Sequence, residues 1–245
     1  MTPLIKLLAL NKGKGFFKSE IVNTEEATLY VYDIIVSDNY FGGIAAIDFV
    51  KELNAITVPV IHLRINSPGG DIFAARAMAQ AIKEHPSKII AHIDGYAASA
   101  ATFPVIASDE SYISKGGMFM IHNAWTIAAG NAKDFTEMAN LLDRTDQTLI
   151  NDYVAKTGQT EEQVKAWMDA ETYFFGQEAV DSGFITNITE QAPKNKIDWD
   201  FSAYQHSPLQ QMPDKTISDN PEPEQQKIDL SAHYRRLALV EKYAA

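Results

Sequence analysis

The sequence predicts an α/β fold in which parallel β-strands alternate with helices. Two successive stretches, residues 58–84 and residues 88–107, each run from an apolar, β-rich segment through a turn into a helical pattern. Repeated βαβ units of this kind pair their strands in parallel through right-handed crossovers. The 245 residues, 46% of them hydrophobic and 22% charged, suffice for one sizeable core with some chain left over.

The remaining elements follow from hydrophobic periodicity and turn chemistry. Strands are predicted at residues 27–35, 58–66, 88–94, 110–114 and 118–122. Helices are predicted at residues 44–53, 73–84, 100–107, 134–156 and 177–182, and another begins at a capping box at Thr160. Residues 1–25 are mixed in character, and residues 169–175 are interpreted as irregular. The apolar stripe over 134–156 is longer than one small domain needs, so we expect this helix to protrude.

The composition changes after Ile188, because half of the ten prolines lie within residues 190–245. We interpret residues 190–226 as a polar, flexible linker, since they cannot bury enough apolar surface to offset the entropy of ordering. Residues 227–243 have the pattern of a helix without a core of its own, and we hypothesise that it docks on an assembly partner. The predicted organisation is a folded domain over 1–189 followed by a tail over 190–245.

Composition excludes several classes of function. The formal net charge of -11 argues against a surface that neutralises nucleic-acid phosphates, and the absence of cysteine excludes thiol catalysis and disulfides. The six histidines form no His-x-x-x-His pair, so we expect neither a metal nor a cofactor. No apolar run reaches the roughly 20 residues of a membrane span, and the start lacks the features of a signal peptide. We therefore expect a cytoplasmic protein without membrane or nucleic-acid partners.

Residues 94–102 form the turn around which the chain is organised. They place Ser99 at the tip between a strand and a helix, flanked by alanines that leave room for another molecule. The N–H groups of Ala100 and of Gly70 are candidate oxyanion donors, because glycine permits close backbone approach. His122, at the end of a predicted strand, is the candidate base. Taken singly, these features are also typical of helix–sheet packing, an ordinary tight turn and a structural histidine.

Three segments resemble, in their order and spacing, the ClpP family, the proteolytic subunits of Clp proteases: residues 66–70, 95–100 and 120–122. The resemblance covers roughly residues 26–188. It implies a serine endopeptidase on a ClpP/crotonase-like α/β fold, assembled as stacked rings that enclose a chamber. The helix over 134–156 resembles the handle that joins two rings.

The resemblance also assigns roles to individual residues. It implies Ser99 as the nucleophile, His122 as the general base, and Gly70 and Ala100 as the oxyanion donors. Two extended edges are expected to flank a peptide that adds as a strand between them. The substrate-binding residues are Gly69, Gly70, Asp71, Ile72 and Phe73 on one edge, and Asn123 and Ala124, continuing to Thr126, on the other.

The third member of the catalytic triad departs from the family pattern, which usually has aspartate. Residues 157–159 and 178–180 fit later family segments, and counting between them without gaps places Glu171 at that position. A glutamate orients a histidine as an aspartate does, although it is one methylene longer. Asp169 is the second candidate, and a solvated loop carboxylate is the ordinary explanation for either residue.

Residues 40–43, residues 171–174 and the polar tail resemble most the ClpP-related proteases encoded with phage capsid genes. We therefore expect a head maturation protease that forms ring-type homo-oligomers and trims capsid or scaffold proteins, in the host cytoplasm or the prohead. A second hypothesis is a housekeeping proteolytic subunit served by a separate ATPase unfoldase, since this chain has no ATPase motif. The intact Ser99/His122 pair weighs against two further hypotheses, a non-catalytic capsid assembly protein and a crotonase-type acyl-CoA enzyme.

Overall fold

A mixed sheet of eight strands forms the centre of the protein, whose computed structural model describes residues 3–190, 197 and 199–208. The strands in chain order are β1 (Phe16–Ile21), β2 (Glu26–Tyr32), β3 (Ile35–Val36), β4 (Ile44–Ala45), β5 (Val60–Ser67), β6 (Lys88–Ala98), β7 (Glu110–Ser114), β8 (Met118–Ile121), β9 (Thr172–Phe175) and β10 (Asn187–Thr189). The sheet order is β1-β2-β5-β6-β7-β10, with β8 paired to β6 and β9 paired to β8. Strands β3 and β4 form a separate parallel pair.

Helices lie between and around these strands. In chain order they are α1 (Pro3–Leu10), α2 (Ala46–Ala55), α3 (Ile72–Glu84), α4 (Thr102–Ala107), α5 (Ala132–Thr157), α6 (Glu161–Asp169) and α7 (Gln177–Asp181), with a 3-10 turn over Ser99–Ala101 directly before α4. The main apolar core joins the sheet to α2, α3 and α4 and reaches the last turns of α5. No helix in the described part of the chain has the length and apolar character to cross a bilayer.

Strand β6 determines where the candidate site lies. Its first half pairs in parallel with β5 and β7, and its second half pairs in parallel with β8, so that Ala98 lies opposite Met120. Strands β2, β5, β6 and β7 are mutually parallel, which confirms the α/β architecture predicted from the repeated units. The carboxyl ends of β5 and β6 lead into the glycine turn and Ser99, so both turns lie at one edge of the sheet.

Helix α5 begins at a capping box formed by Asn131 and Asp134 and ends at Gly158, which adopts a left-handed conformation. Its buried residues lie toward its C-terminal end, at Leu149, Ile150 and Tyr153. The first half is largely solvent-exposed, and its apolar residues Phe135 and Leu141 are 52% and 50% exposed. The predicted long helix is therefore present, with an unburied apolar stripe along its first half.

Three stretches differ from the sequence prediction. Residues 1–25 contain helix α1 and strand β1, which pairs antiparallel with β2. Residues 169–175 are not irregular throughout, because Thr172–Phe175 is strand β9, antiparallel to β8. The predicted helix over 44–53 begins two residues later, after the short strand β4. Each of these strands depends on a partner that is distant in sequence, so local periodicity gives little signal for them.

The interpretation of residues 190–226 as a flexible linker is wrong for residues 199–208, which we name the strap. Its aromatic residues Trp199, Phe201 and Tyr204 are at most 5% exposed and form an apolar cluster with α1 and the β8 methionines. Asn11, the residue directly after α1, holds the start of the strap, because the amide N–H of Asp200 donates to Asn11 Oδ1 at 2.7 Å. The predicted helix over 227–243 lies outside the described residues.

Candidate active site

Ser99 stands at the junction of β6 and the 3-10 turn, in a conformation that few residues adopt. Its φ is +53°, and Ser99 and Glu171 are the two non-glycine residues in the described chain with positive φ. Such a conformation costs about 1–3 kcal/mol and persists when the surrounding structure enforces it. Here Thr102 Oγ1 donates to the Ser99 carbonyl at 2.7 Å, which fixes the turn that exposes the hydroxyl.

The His122 imidazole lies beside the Ser99 hydroxyl because β8 pairs with the end of β6. Ser99 Oγ and His122 Nε2 are 2.7 Å apart, within hydrogen-bond distance. The ring is partly buried and keeps one edge open to the adjoining cavity. Burial lowers the pKa of His122, and the nearby Glu171 carboxylate acts in the opposite direction. His122 is therefore neutral near pH 7, as a general base must be.

The glycine turn presents the backbone of Gly70 to the same place. Ile35 makes hydrogen bonds to the residues on both sides of Gly70. The Ile35 N–H donates to the Gly69 carbonyl, and the Asp71 N–H donates to the Ile35 carbonyl, both at 2.8 Å. Because successive residues of a paired strand point their N–H groups to opposite sides, the Gly70 N–H faces away from Ile35. A Cβ on Gly70 would lie 1.9 Å from the Ile35 carbonyl oxygen, so only glycine fits.

The second oxyanion candidate is the N–H of Ala100, in the first turn of the helical segment that follows Ser99. The first N–H groups of a helix have no acceptor within the helix and carry its positive dipole end. Gly69 packs against this turn, since a Cβ on Gly69 would lie 3.1 Å from the Ala100 nitrogen. Ser99, Ala100 and Gly70 line one cavity, so both amides adjoin the nucleophile.

Glu171 is 8% exposed, and its carboxylate is held by three donors. The Tyr173 hydroxyl donates to Oε1 at 2.6 Å, the His206 N–H donates to Oε1 at 2.8 Å, and the Gln205 N–H donates to Oε2 at 3.1 Å. Among the described residues no hydrogen bond joins Glu171 to His122, and the two interact through their charges.

Asp169, the second candidate for the acid, is used elsewhere. Its carboxylate accepts from Asn123 Nδ2 at 2.9 Å and pairs with Lys165 Nζ at 2.7 Å, and these partners lower the pKa of Asp169. Glu171 is the carboxylate that acts electrostatically on His122. The geometry therefore favours Glu171 over Asp169 as the group that stabilises a protonated His122.

A cavity of about 400 Å³ opens beside Ser99 and His122. The predicted substrate-binding residues that line it are Gly70, Asp71, Ile72, Phe73, Asn123, Ala124 and Thr126. Its far wall comes from the exposed stripe of α5, through Met138, Leu141 and Leu142. Gly69 does not line the cavity and instead packs against the backbone of the 3-10 turn that begins at Ser99.

Two residues of the predicted substrate-binding edges, Asp71 and Ala124, also make hydrogen bonds that stabilise the fold. The Asp71 side chain accepts from the Ala74 N–H at 2.9 Å and so caps α3, and the Ala124 N–H donates to Asp146 Oδ1 at 2.6 Å. In the described residues no group of three or more His, Cys, Asp or Glu side chains is arranged to hold a metal ion. A serine hydroxyl beside a neutral imidazole, with a nearby carboxylate and two candidate backbone donors, is the arrangement typical of serine hydrolases.

Comparison with known proteins assigns the family. The model of the Clp protease family matches residues 44–192, which include Ser99, His122 and Glu171. A Clp protease proteolytic subunit 1 from Leifsonia xyli is 33% identical over 134 residues, 54% of this chain and 68% of that protein. The proteolytic subunit from Dehalococcoides mccartyi is 35% identical over 138 residues, covering 56% of this chain and 68% of the relative. The chain belongs to the Clp protease family of serine peptidases.

Several residues of the site escaped sequence reasoning, namely Tyr173, Tyr204 and the backbone amides of Gln205 and His206. The last three lie in the strap, which begins beyond the residues that the family model matches. One signal was available, because three aromatic residues within residues 199–204 are unusual for a polar linker.

Proposed function

We propose that this chain is a peptide hydrolase in which Ser99 is the nucleophile, His122 the general base and Glu171 the supporting acid. The observation that carries the proposal is the 2.7 Å separation of Ser99 Oγ and His122 Nε2 at a strained turn. Ser99 Oγ attacks the scissile carbonyl while its proton passes to His122 Nε2. His122 then protonates the leaving amine, and a water molecule hydrolyses the acyl-enzyme through the same base.

During this reaction a negative charge develops on the oxyanion and a positive charge on His122, and the site contains a stabilising group for each charge. The oxyanion forms beside Ser99, where the N–H groups of Gly70 and Ala100 are the donors. The imidazolium forms on His122, where the Glu171 carboxylate is the neighbouring negative charge. Glu171 acts on His122 through electrostatic attraction and not through a hydrogen bond, because its oxygens accept from Tyr173 and the strap amides.

The substrate class follows from the shape and lining of the cavity. Two backbone segments, residues 70–73 and residues 123–126, border the cavity next to Ser99. An extended peptide placed between them adds as a strand, with apolar side chains directed toward the exposed stripe of α5. We therefore propose unfolded polypeptides as substrates, with apolar residues near the cleaved bond.

The exposed stripe of α5 supports a ring-type homo-oligomer. Phe135 and Leu141 expose apolar surface in the described chain, and burial against a facing subunit removes that surface from water. Folded substrates then require a separate ATPase that unfolds them. The relatives named above are subunits of ATP-dependent Clp proteases, which supports such a partner for this chain.

Two biological settings are compared for this peptidase, phage capsid processing and housekeeping proteolysis. Parts of the sequence resemble phage head maturation proteases, whereas the relatives are named as Clp protease proteolytic subunits. We therefore propose the housekeeping Clp proteolytic role in the cytoplasm ahead of capsid processing.

The test is hydrolysis of fluorogenic peptides by the purified full chain, with Ser99→Ala as the matched control. The proposal predicts turnover by the wild type and none by the variant at equal folded concentration. Wild-type inactivity on a broad peptide library would contradict the catalytic proposal. Co-expression with a Clp ATPase, or with capsid and scaffold proteins, then distinguishes the two settings by Ser99-dependent cleavage in mass spectrometry.

A further inference from the structure

The strap, residues 199–208, touches the components of the active site one after another. Trp199 Nε1 donates to Asn66 Oδ1 at 3.1 Å, and Asn66 lies near the end of β5, just before the turn that contains Gly70. The Tyr204 hydroxyl donates to the carbonyl of Pro68 on the same turn. The amides of the next two residues then donate to Glu171. One short segment therefore contacts both the oxyanion turn and the catalytic acid.

Tyr204 lies closest to the reacting groups. Its ring meets the His122 ring edge-on, with centroids 5.3 Å apart and planes at 82°. The side chain is 4% exposed. Burial raises the pKa of Tyr204, so the hydroxyl stays protonated and available as a donor, while a hydrogen bond with Ser99 acts in the opposite direction. Tyr204 is thus in contact with the base and the oxyanion turn, and it interacts with the nucleophile.

The strap is held in place by contacts that do not involve the site. Asn11, the residue directly after α1, makes two hydrogen bonds with the backbone of Asp200: Asn11 Nδ2 donates to the carbonyl at 3.1 Å, and the Asp200 N–H donates to Asn11 Oδ1 at 2.7 Å. Phe201 packs on Tyr96 of β6, with ring centroids 4.9 Å apart. Anchors on α1 and β6 give the strap a fixed path, so the groups it presents to the site are preorganised.

We propose that the strap is a built-in positioning element of the active site, in which Tyr204 sets the His122 ring and the oxyanion turn. Its amides at Gln205 and His206 fix the position of the buried Glu171 carboxylate, since a polar group that leaves water needs hydrogen-bond partners in the protein. The Tyr204 ring excludes water from one side of His122. The inference rests on the proposed function, because positioning matters only if Ser99 and His122 react.

The experiment compares Tyr204→Phe, Tyr204→Ala and the control Ser202→Ala in the full-length protein. Ser202 lies in the strap, and its substitution leaves the contacts to His122, Pro68 and Glu171 in place. Each variant is assayed for kcat, KM, the acid limb of the kcat/KM pH profile and the melting temperature. The acid limb reports the pKa of the base in the free enzyme.

Each substitution has its own expected signature. Tyr204→Phe keeps the ring but removes the hydroxyl that donates to Pro68 and interacts with Ser99. We expect kcat to fall at least about tenfold, the factor of one neutral hydrogen bond, with KM and the acid limb unchanged. Tyr204→Ala also admits water to His122, so kcat falls about 100-fold and the acid limb moves to higher pH. Ser202→Ala matches the wild type in kcat, KM and the acid limb.

Two outcomes overturn the inference. Wild-type kcat and pH profile in both Tyr204 variants would show that the strap only covers the site. A loss of activity that follows the lost folded fraction, with the acid limb unmoved, would show a purely structural role. If the wild type itself does not hydrolyse peptides, the proposed function fails. The His122 titration followed by NMR then still decides the inference, since Tyr204→Ala must raise the pKa of His122.

Discussion

Replacing Gly70 by alanine tests the oxyanion turn most sharply. A Cβ at this position would lie 1.9 Å from the Ile35 carbonyl oxygen and 2.9 Å from the carbonyl carbon, and both are backbone atoms. Real Cβ contacts are longer than 3.0 Å, so the turn or β3 must move by more than about 1 Å. The φ of +144° adds strain for any residue with a Cβ.

The size of the effect follows from that displacement. Moving one oxyanion donor by about 1 Å costs about 100-fold, and losing it altogether costs about 100- to 1000-fold in kcat. We therefore expect Gly70→Ala to lower kcat by about 100- to 1000-fold, with a smaller change in KM. The assay is steady-state hydrolysis of a fluorogenic peptide, with the melting temperature measured on the same samples.

Gly116 provides the matched control, because a Cβ there would meet nothing within 4 Å and its φ is not positive. Gly116→Ala should retain wild-type kcat and stability. Gly69→Ala is a second probe of the same turn, since its Cβ would lie 2.5 Å from the Ala98 carbonyl oxygen. A folded Gly70→Ala protein with wild-type kcat would refute the assignment of this turn as the oxyanion site.

Three further predictions concern the acid, the assembly and the stability. Glu171→Gln should lower kcat by about 10- to 100-fold, because Glu171 acts on His122 through its charge, while Asp169→Asn stays near the wild type. Because the Glu171 charge raises the pKa of His122, and activity is lost as pH falls through that pKa, the acid limb should move to lower pH; an upward shift would contradict this. Phe135→Lys, a change on the exposed stripe outside the cavity lining, should reduce the mass seen by light scattering without lowering the melting temperature, and an unchanged oligomer would exclude this stripe. Burial lowers the pKa of His92 from 6.5 to about 4, so the unfolded state binds more protons than the folded state between these pH values. His92 alone should therefore lower the unfolding free energy by about 3 kcal/mol between pH 6.5 and 4, and His122 adds to this fall. Denaturation at a series of pH values should show a smaller fall in His92→Gln than in the wild type.

The sequence predicted the fold best where the hydrophobic pattern of a segment matches its burial in the folded protein. The parallel strands of the repeated units carry continuous apolar runs, because helices and loops bury them, and such runs are visible without a structure. Ser99, His122 and Gly70 stand at the ends of three such strand segments. The sheet therefore brings together residues that lie up to 52 positions apart, from Gly70 to His122.

The prediction failed where a segment depends on distant partners. Strand β9 has only four residues and exists because β8 offers it an edge. The strap lies in a polar, proline-containing region, and its order depends on three aromatic side chains that fill a pocket between α1 and β8. Linker composition describes the average of a region, whereas burial of Trp199, Phe201 and Tyr204 decides whether this part of it is ordered.

The central claim is that Ser99 is a nucleophile activated by His122. The most direct measurement is intact-mass spectrometry and peptide mapping after reaction with a fluorophosphonate, which phosphonylates activated serine hydroxyls. We predict one adduct per chain, located on Ser99, absent from Ser99→Ala and formed at least about 100-fold more slowly in His122→Ala. A folded wild-type protein that forms no adduct, or forms it equally fast in His122→Ala, would contradict the claim.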